Sequence, residues 1–309
     1  MQNHYKMINF TKRLALLLTL AIVASATTQA TAQNKMTPED HDRVVSKIIK
    51  IGQTDNRTMH HLDVLTNRIG GRLLGSDAYE NATYWAADLY KKWGLEVVVQ
   101  EVGQLPVGFN RGPWFGRMLS DNGMILHFAT PSYTSGTKGV QRGHVVKEPK
   151  TKAQFDRMKG KLKGAWVLIT GENEGWPIDY SEYADTLRSQ IIQENNKIQR
   201  YNDSIMRINR ANPDKSQLEP KPYKDAPALF YKEMREAGIL GIIQSSQVPI
   251  RALYDRKNVE YMSWDELPTC PDIKLDEHQY KIIEQMVNER RYFQLEFDIR
   301  NHFKHGPVK

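Results

Sequence analysis

The chain has 309 residues, 40% of them hydrophobic and 26% charged, which is enough apolar material for one large core or two moderate ones and is not the composition of a disordered chain. The net charge of +7 is spread over basic residues mixed with acids, without an Arg/Lys stripe interleaved with aromatics, so the charge pattern excludes a nucleic-acid footprint. One cysteine, Cys270, excludes an intramolecular disulfide; set between Thr269 and Pro271 without a motif, it reads as a packed, inert thiol rather than a nucleophile.

Residues Met1 to Ala32 read as a secretory signal. Lys6, Lys12 and Arg13 precede the apolar run Leu14–Ala24, and Ala30-Thr31-Ala32 supplies a small-x-small cleavage pattern. The run is short for a membrane span of about 20 residues. Cleavage, with no stable membrane insertion afterwards, and retention as an N-terminal anchor both fit. Without the leader the net charge falls from +7 by three, to +4. The expected location is periplasmic or extracellular.

Thr37-Pro38-Glu39-Asp40 predicts a helix start, with Val44, Val45, Ile48, Ile49 and Ile51 as its apolar stripe. A second short helix is expected from Arg57 to Leu65, and both should pack around a strand at Leu95–Val99. Between them and that strand, Arg68 to Ser76 carries three glycines, as a close-approach or positive-φ turn would. Ser76 predicts an N-cap, and Tyr79, Ala82, Ala86, Leu89, Tyr90 and Trp93 give the following helix one apolar face, stopped by Gly94.

From Gln104, Pro106, Gly108, Gly112, Pro113 and Gly116 read as a linker or domain crossing. Short strands are then expected at Gly123–Phe128 and Gly143–Val146, around a turn-rich Pro131–Gly139. Lys159–Lys163 reads as a basic turn feeding a buried strand at Ala165–Ile169. Tyr231–Ala237 predicts a helix, Gly238 a stop, and Ile239–Ile243 a second buried strand beside the first. Between them, Ser181–Asn212 is polar and helix-prone, with Ile198, Tyr201, Ile205 and Ile208 as a short seam; it reads as a surface helical hairpin arm or exposed helix rather than a dimerisation coil. Pro220, Pro222 and Pro227 make a stiff return. Asp276–Val287 is an amphipathic helix and Phe293–Ile299 an alternating strand. No capping helix or polar tail follows Gly306-Pro307-Val308-Lys309, so the sequence reads as one that continues.

These pieces resemble the N-terminal part of the secreted di-zinc exopeptidases of the aminopeptidase Y and carboxypeptidase Q type. The matching residues are Gly71-Arg72-Leu73 with Gly75-Ser76, Trp85-Ala86-Ala87, and Trp93-Gly94-Leu95-Glu96-Val97. The middle is similar to the protease-associated domain inserted in many such enzymes, through Arg111-Gly112, Gly136-Thr137 with Val140, Lys161–Ile169 and Glu236–Ser245. The resemblance implies an α/β fold: an incomplete exopeptidase layer in residues 33–103, an inserted β-rich α+β domain in 104–294 with the helical arm at about 181–212, and a re-entry strand in 295–309. It implies two zinc ions and a peptide or dipeptide substrate for the full-length enzyme, and a non-catalytic exported binding module is the competing reading. The family's ligands begin with a His-x-Asp after the re-entry strand. No His-x-Asp follows that strand here, and the one match to the spacing, His61-Leu62-Asp63, stands ahead of the insertion, so no catalytic or metal residue is assigned, and this chain is expected to bind no zinc and to be inactive alone.

Other candidates reduce to structure. His302-x-x-His305 is expected in a loop as surface histidines, and His60-His61 beside Asp63 do not converge on a helix. The Gly70–Gly75 turn lacks a phosphate-loop Gly-Lys-Ser, no Gly-x-Ser-x-Gly elbow is present, and the sequon Asn81-Ala82-Thr83 falls on helix surface.

Overall fold

The computed structural model describes residues 37–173, 175, 181–224, 228–248, 259 and 262–308. The leader, Pro227 and Lys309 lie outside them. The chain divides into two units, Met1–Val64 and Leu65–Lys309.

In the first unit, α1 (Pro38–Thr54) begins as the sequence predicts. Thr37 Oγ1 accepts from Asp40 N at 3.1 Å, Asp40 Oδ2 accepts from Thr37 N at 3.4 Å, and Pro38 opens the helix. None of its residues is buried, so its stripe packs on no strand among the described residues. The short helix α2 (Thr58–Asp63) runs into a π-helical turn at Val64–Ile69.

In the second unit, α3 (Asp77–Lys92) is capped by Ser76, whose Oγ accepts from Tyr79 N at 3.1 Å. Its end is a Schellman motif: Gly94 sits at φ +80°, Gly94 N donates to Lys91 O and Leu95 N donates to Tyr90 O. The expected strand at Leu95–Val99 does not form. The segment has no ladder partner among the described residues, and β-branched residues favour a strand only where a neighbour pairs with it. Val98 is 82% exposed and Val102 93%.

The stretch expected to be a linker is instead two strands. β1 (Leu105–Asn110) pairs antiparallel with β9 (His302–Val308) in a two-stranded ribbon, from Leu105↔Val308 to Asn110↔His302. The glycines there serve packing. A Cβ on Gly108 would lie 2.5 Å from Gly75 O, so the Gly-rich turn and the ribbon touch through main chain. Asp77 N donates to Asn110 Oδ1 at 2.9 Å, Asn110 Nδ2 returns to Asp77 Oδ2 at 2.7 Å, and Lys304 Nζ pairs with the same carboxylate. Phe109 stacks on Tyr133, whose hydroxyl donates to Leu74 O.

Residues between β1 and β9 build a seven-stranded sheet of β2 (Trp114–Met118), β3 (Phe128–Ala129), β4 (Gln141–Lys147), β5 (Ala165–Glu172), β6 (Gly241–Ser246), β7 (Asp272–Asp276) and β8 (Gln294–Ile299), in the order β2-β8-β4-β5-β6-β7-β3. Strands β4, β5, β6 and β7 are parallel; the outer pairings are antiparallel. The sheet's two ends meet. Leu126 N donates to Gly116 O and Met118 N to Met124 O, so the segment leading into β3 also pairs with β2 and closes the sheet on itself. Gly116 permits this closure, since a Cβ there would lie 2.6 Å from the Phe297 ring. Of the strand expected at Gly123–Phe128, only Phe128 lies in a strand, as the first residue of β3; a 3-10 turn occupies Asp121–Gly123. The residues expected to re-enter at Leu295 lie in β8, held between β2 and β4, and the strand that meets β1 is β9.

The two predicted buried strands do lie side by side, with Trp166↔Gly241 to Ile169↔Gln244 in parallel register. Successive residues of β5 feed opposite cores, as the continuous apolar run of a sheet covered on both faces should. Trp166 and Leu168 join Ile243, Leu275, Phe297 and the helix α7 (Glu277–Asn288). Val167 and Ile169 join Ile242, Cys270, Met234 of α6 (Tyr231–Glu236) and Phe155 of α4 (Lys152–Leu162). The basic turn read at Lys159–Lys163 is mostly the last turn of α4. Glu296, almost buried, accepts from Arg142 Nε at 2.5 Å and Arg117 Nε at 2.8 Å, which holds its carboxyl below the ordinary 4.5. A depressed folded pKa adds stability above 4.5 that is lost as pH falls through the folded value. Urea unfolding of wild type and Glu296→Gln should therefore differ at pH 7 and converge in acid; a constant difference contradicts the pairing.

The helical arm α5 (Asp185–Ala211) is an exposed helix, as expected, held by a feature other than its apolar seam. Asn195, Asn202 and Asn209 each bond both main-chain groups of one residue on the extended return: Lys224, Lys221 and Leu218. Seven helical residues rise about 10.5 Å and three polyproline-type residues about 9.3 Å, so the two spacings stay in step. Tyr201 and Ile208 of the seam are exposed, and only Ile205 is buried. Asn202→Ala removes two bonds of about 1 kcal/mol each and leaves the Lys221 main chain unsatisfied. Proteolysis between Asn212 and Lys224 should accelerate with the global unfolding midpoint unchanged; an unaltered cleavage rate contradicts the role.

Candidate functional site

In α/β sheets, open or closed, ligands gather at the carboxyl ends of the parallel strands. Two polar features lie there. After β4, Glu148 accepts from Thr170 N at 2.8 Å, Thr170 Oγ1 at 2.5 Å and Ser181 Oγ at 2.8 Å. Burial pushes its carboxyl upward, against the donation from Thr170 and Ser181. All its contacts are internal, and they tie the start of the arm to β5. Deeper in, Lys274 is fully buried with its Nζ 2.8 Å from Asp272 Oδ1 and bonded to Gln244 Oε1, which also accepts from Asn173 Nδ2.

The accessible site is a cleft of about 390 Å³ at the end of β7, where the sheet closes. Trp114, Phe115, Ile125, Leu126, Phe128 and Val248 form its apolar lining, and His127 and Asp276 its titratable groups. Several contacts fix these walls: Trp114 Nε1 donates to Phe128 O at 2.8 Å, His127 N donates to Gln279 Oε1 at 2.7 Å, Gln279 Nε2 donates to Ile125 O at 2.8 Å, and Asp276 N donates to His127 O at 2.9 Å. Asp276 Oδ1 caps α7, accepting from His278 N and Gln279 N at 3.1 Å each. The sequence did not single out this site. The aromatic pair Trp114-Phe115 inside a Gly/Pro-rich stretch was its one local signal.

The structure separates the other candidates. His302 and His305 lie on β9 rather than in a loop; three residues apart on a strand, they face opposite sides, and His305 packs on Trp264 with ring centroids 4.7 Å apart. His60 and His61 are exposed, with ring centroids 5.8 Å apart. Asn81 is on the exposed side of α3. Cys270 is buried, and burial reinforced by the Asp272 charge pushes its thiol up to about 12, which leaves no thiolate for nucleophilic work at neutral pH. Among the described residues no three His, Cys, Asp or Glu side chains converge as a metal site would require, so the residues described do not fit zinc. No helix among them is long and apolar enough to cross a membrane.

No protein-family model and no curated protein matches the chain. Among solved structures it is similar to a peptidase M28 precursor from Shewanella amazonensis SB2B, at TM-score 0.41 and 14% identity over 87% of this chain and 52% of that one. It is also similar to an aminopeptidase from Aneurinibacillus sp. strain AM-1, at TM-score 0.37 and 11% identity over 82% of this chain and 47% of that one. A zinc aminopeptidase from Bacillus subtilis aligns at TM-score 0.38 and 13% identity over 78% of this chain and 42% of that one. The chain thus spans about half the length of these structures. Likeness at this level transfers no residue role.

Proposed function

We propose that this chain is the opening part of an exported zinc-dependent exopeptidase, with a protease-associated-like domain inserted between β1 and β9. The ribbon carries the reading: the chain leaves through β1 and returns antiparallel through β9, so the ends of the enclosed module lie side by side, as those of an inserted domain must. The exposed apolar residues from Trp93 to Val102 support the other half of the proposal, because an uncovered patch of this kind marks a surface built to be packed against. By the family resemblance, the two zincs activate a water for attack on a peptide carbonyl. Their ligands belong to residues that follow the returning strand, and the part played by this chain is to frame that layer and carry the inserted domain.

The aromatic cleft favours a second reading, an exported peptide-binding module. Metal analysis of the purified chain, with a peptidase assay on aminoacyl and dipeptide substrates, tests the first. The expected result is no stoichiometric zinc and no turnover; bound zinc with turnover would place the active centre inside these residues and overturn the assignment.

A further inference from the structure

The seam that closes the sheet hangs on one turn. Leu126 N donates to Gly116 O and Met118 N to Met124 O, both at 2.9 Å, with Arg117 and Ile125 bridged between them. The segment leading into β3 is therefore the second arm of a hairpin whose first arm is β2. Asn122 and Gly123 reverse the chain between the arms at φ +61° and +71°. Glycine adopts such left-handed values freely, and asparagine does so more readily than most residues with a side chain. Asn-Gly is a favoured hairpin pair for that reason.

The same pair is chemically labile. Asn122 is exposed, it is the only asparagine in the sequence that precedes a glycine, and Gly123 has no Cβ to screen its own nitrogen. Attack of Gly123 N on the side-chain Cγ of Asn122 forms a C–N bond, gives up the N–H proton to solvent and breaks the C–NH2 bond. Ammonia leaves, and a five-membered succinimide remains. Water then opens the ring. Opening at Cγ restores the ordinary main chain with aspartate in place of Asn122; opening at the α-carbonyl routes the main chain through Cβ, an isoaspartyl link one atom longer.

The fold gates this step. Gly123 N donates to Ser120 O at 3.1 Å, and at ψ +22° for Asn122 that nitrogen points away from the Asn122 side chain. Ring closure requires the bond to break and ψ to rotate, so the turn has to open first.

We propose that Asn122 is a site of spontaneous covalent modification, gated by opening of its turn, and that the isoaspartyl product unzips the seam. The longer connection takes Met118 and Leu126 out of register with Met124 and Gly116, and it uncovers two side chains that are now buried. This inference rests on neither the zinc nor the peptide-binding reading.

Ageing the full chain at physiological temperature in mildly alkaline buffer tests it, with peptide mapping by mass spectrometry and amide hydrogen exchange. Conversion of amide to acid should appear first at Asn122, with isoaspartate among the products. Residues 120–125 as a free peptide should react about fivefold or more faster, the factor for releasing one main-chain hydrogen bond. The isoaspartyl fraction should lose exchange protection at Met118 and Leu126. Asn122→Gly keeps the left-handed turn without the reactive amide and should hold that protection throughout, as should freshly prepared Asn122→Asp. An Asn122 amide that outlasts other asparagines, a folded chain that reacts as fast as the peptide, an isoaspartyl form with full protection, or loss of protection by Asn122→Gly on the same time course would each overturn the proposal.

Discussion

Replacing Trp166 with alanine is expected to lower the unfolding free energy by about 3–5 kcal/mol, the cost of emptying a large buried aromatic site. The indole has no exposed surface, donates from Nε1 to Leu295 O at 3.2 Å and meets Phe297 edge-on at 4.8 Å between centroids. Its space is made by glycines on both neighbouring strands. A Cβ at Gly241 of β6 would approach the ring to 2.5 Å, and one at Gly143 of β4 to 3.3 Å. Fixed main chain on either side prevents collapse into the vacancy, which puts the cost toward the upper end. Urea unfolding should show a lower midpoint with an unchanged slope. A loss under about 1 kcal/mol would mean that the sheet is not packed as described.

Lys274→Met should be comparably damaging for an electrostatic reason. Lys274 and Asp272 are two apart on β7, so they share a face, and both are buried. Removing the ammonium takes from the buried Asp272 carboxylate the ion-pair partner that lies 2.8 Å away, which costs about 3–5 kcal/mol. Replacing both charges, as Lys274→Met with Asp272→Leu, should recover a substantial part of that loss, because an apolar pair has no desolvation cost to offset. A double variant whose cost equals the sum of the singles would show that the two side chains are not coupled.

Several elements were legible because their determinants are local. The Thr37-Pro38 and Ser76 caps, the Gly94 stop and the paired runs at Ala165–Ile169 and Ile239–Ile243 each follow from residues within one turn or one strand. What failed depends on distant partners. Gly108 and Gly116 looked like linker glycines because the atoms that require them, Gly75 O and the Phe297 ring, are far away in sequence. Leu95–Val99 has the composition of a strand, and composition does not supply a neighbour. Along the arm the seam of Ile198, Tyr201, Ile205 and Ile208 shows the spacing, whereas Asn195, Asn202 and Asn209 hold the return. α4 was hidden by its lysines, although Thr151 caps it and Phe155, Met158 and Leu162 keep helical spacing. The cleft was least legible: Trp114 and Asp276 meet only because the sheet closes, and no periodicity encodes closure.

The central claim is that β1 and β9 bracket an insertion in a peptidase whose zinc ligands follow β9. Sequencing the gene beyond Lys309 tests it most directly. The account predicts an open frame carrying a His-x-Asp on an apolar strand soon after Val308, with further acidic residues and a distal histidine. A frame that closes at Lys309, or one that continues without that motif, would contradict it.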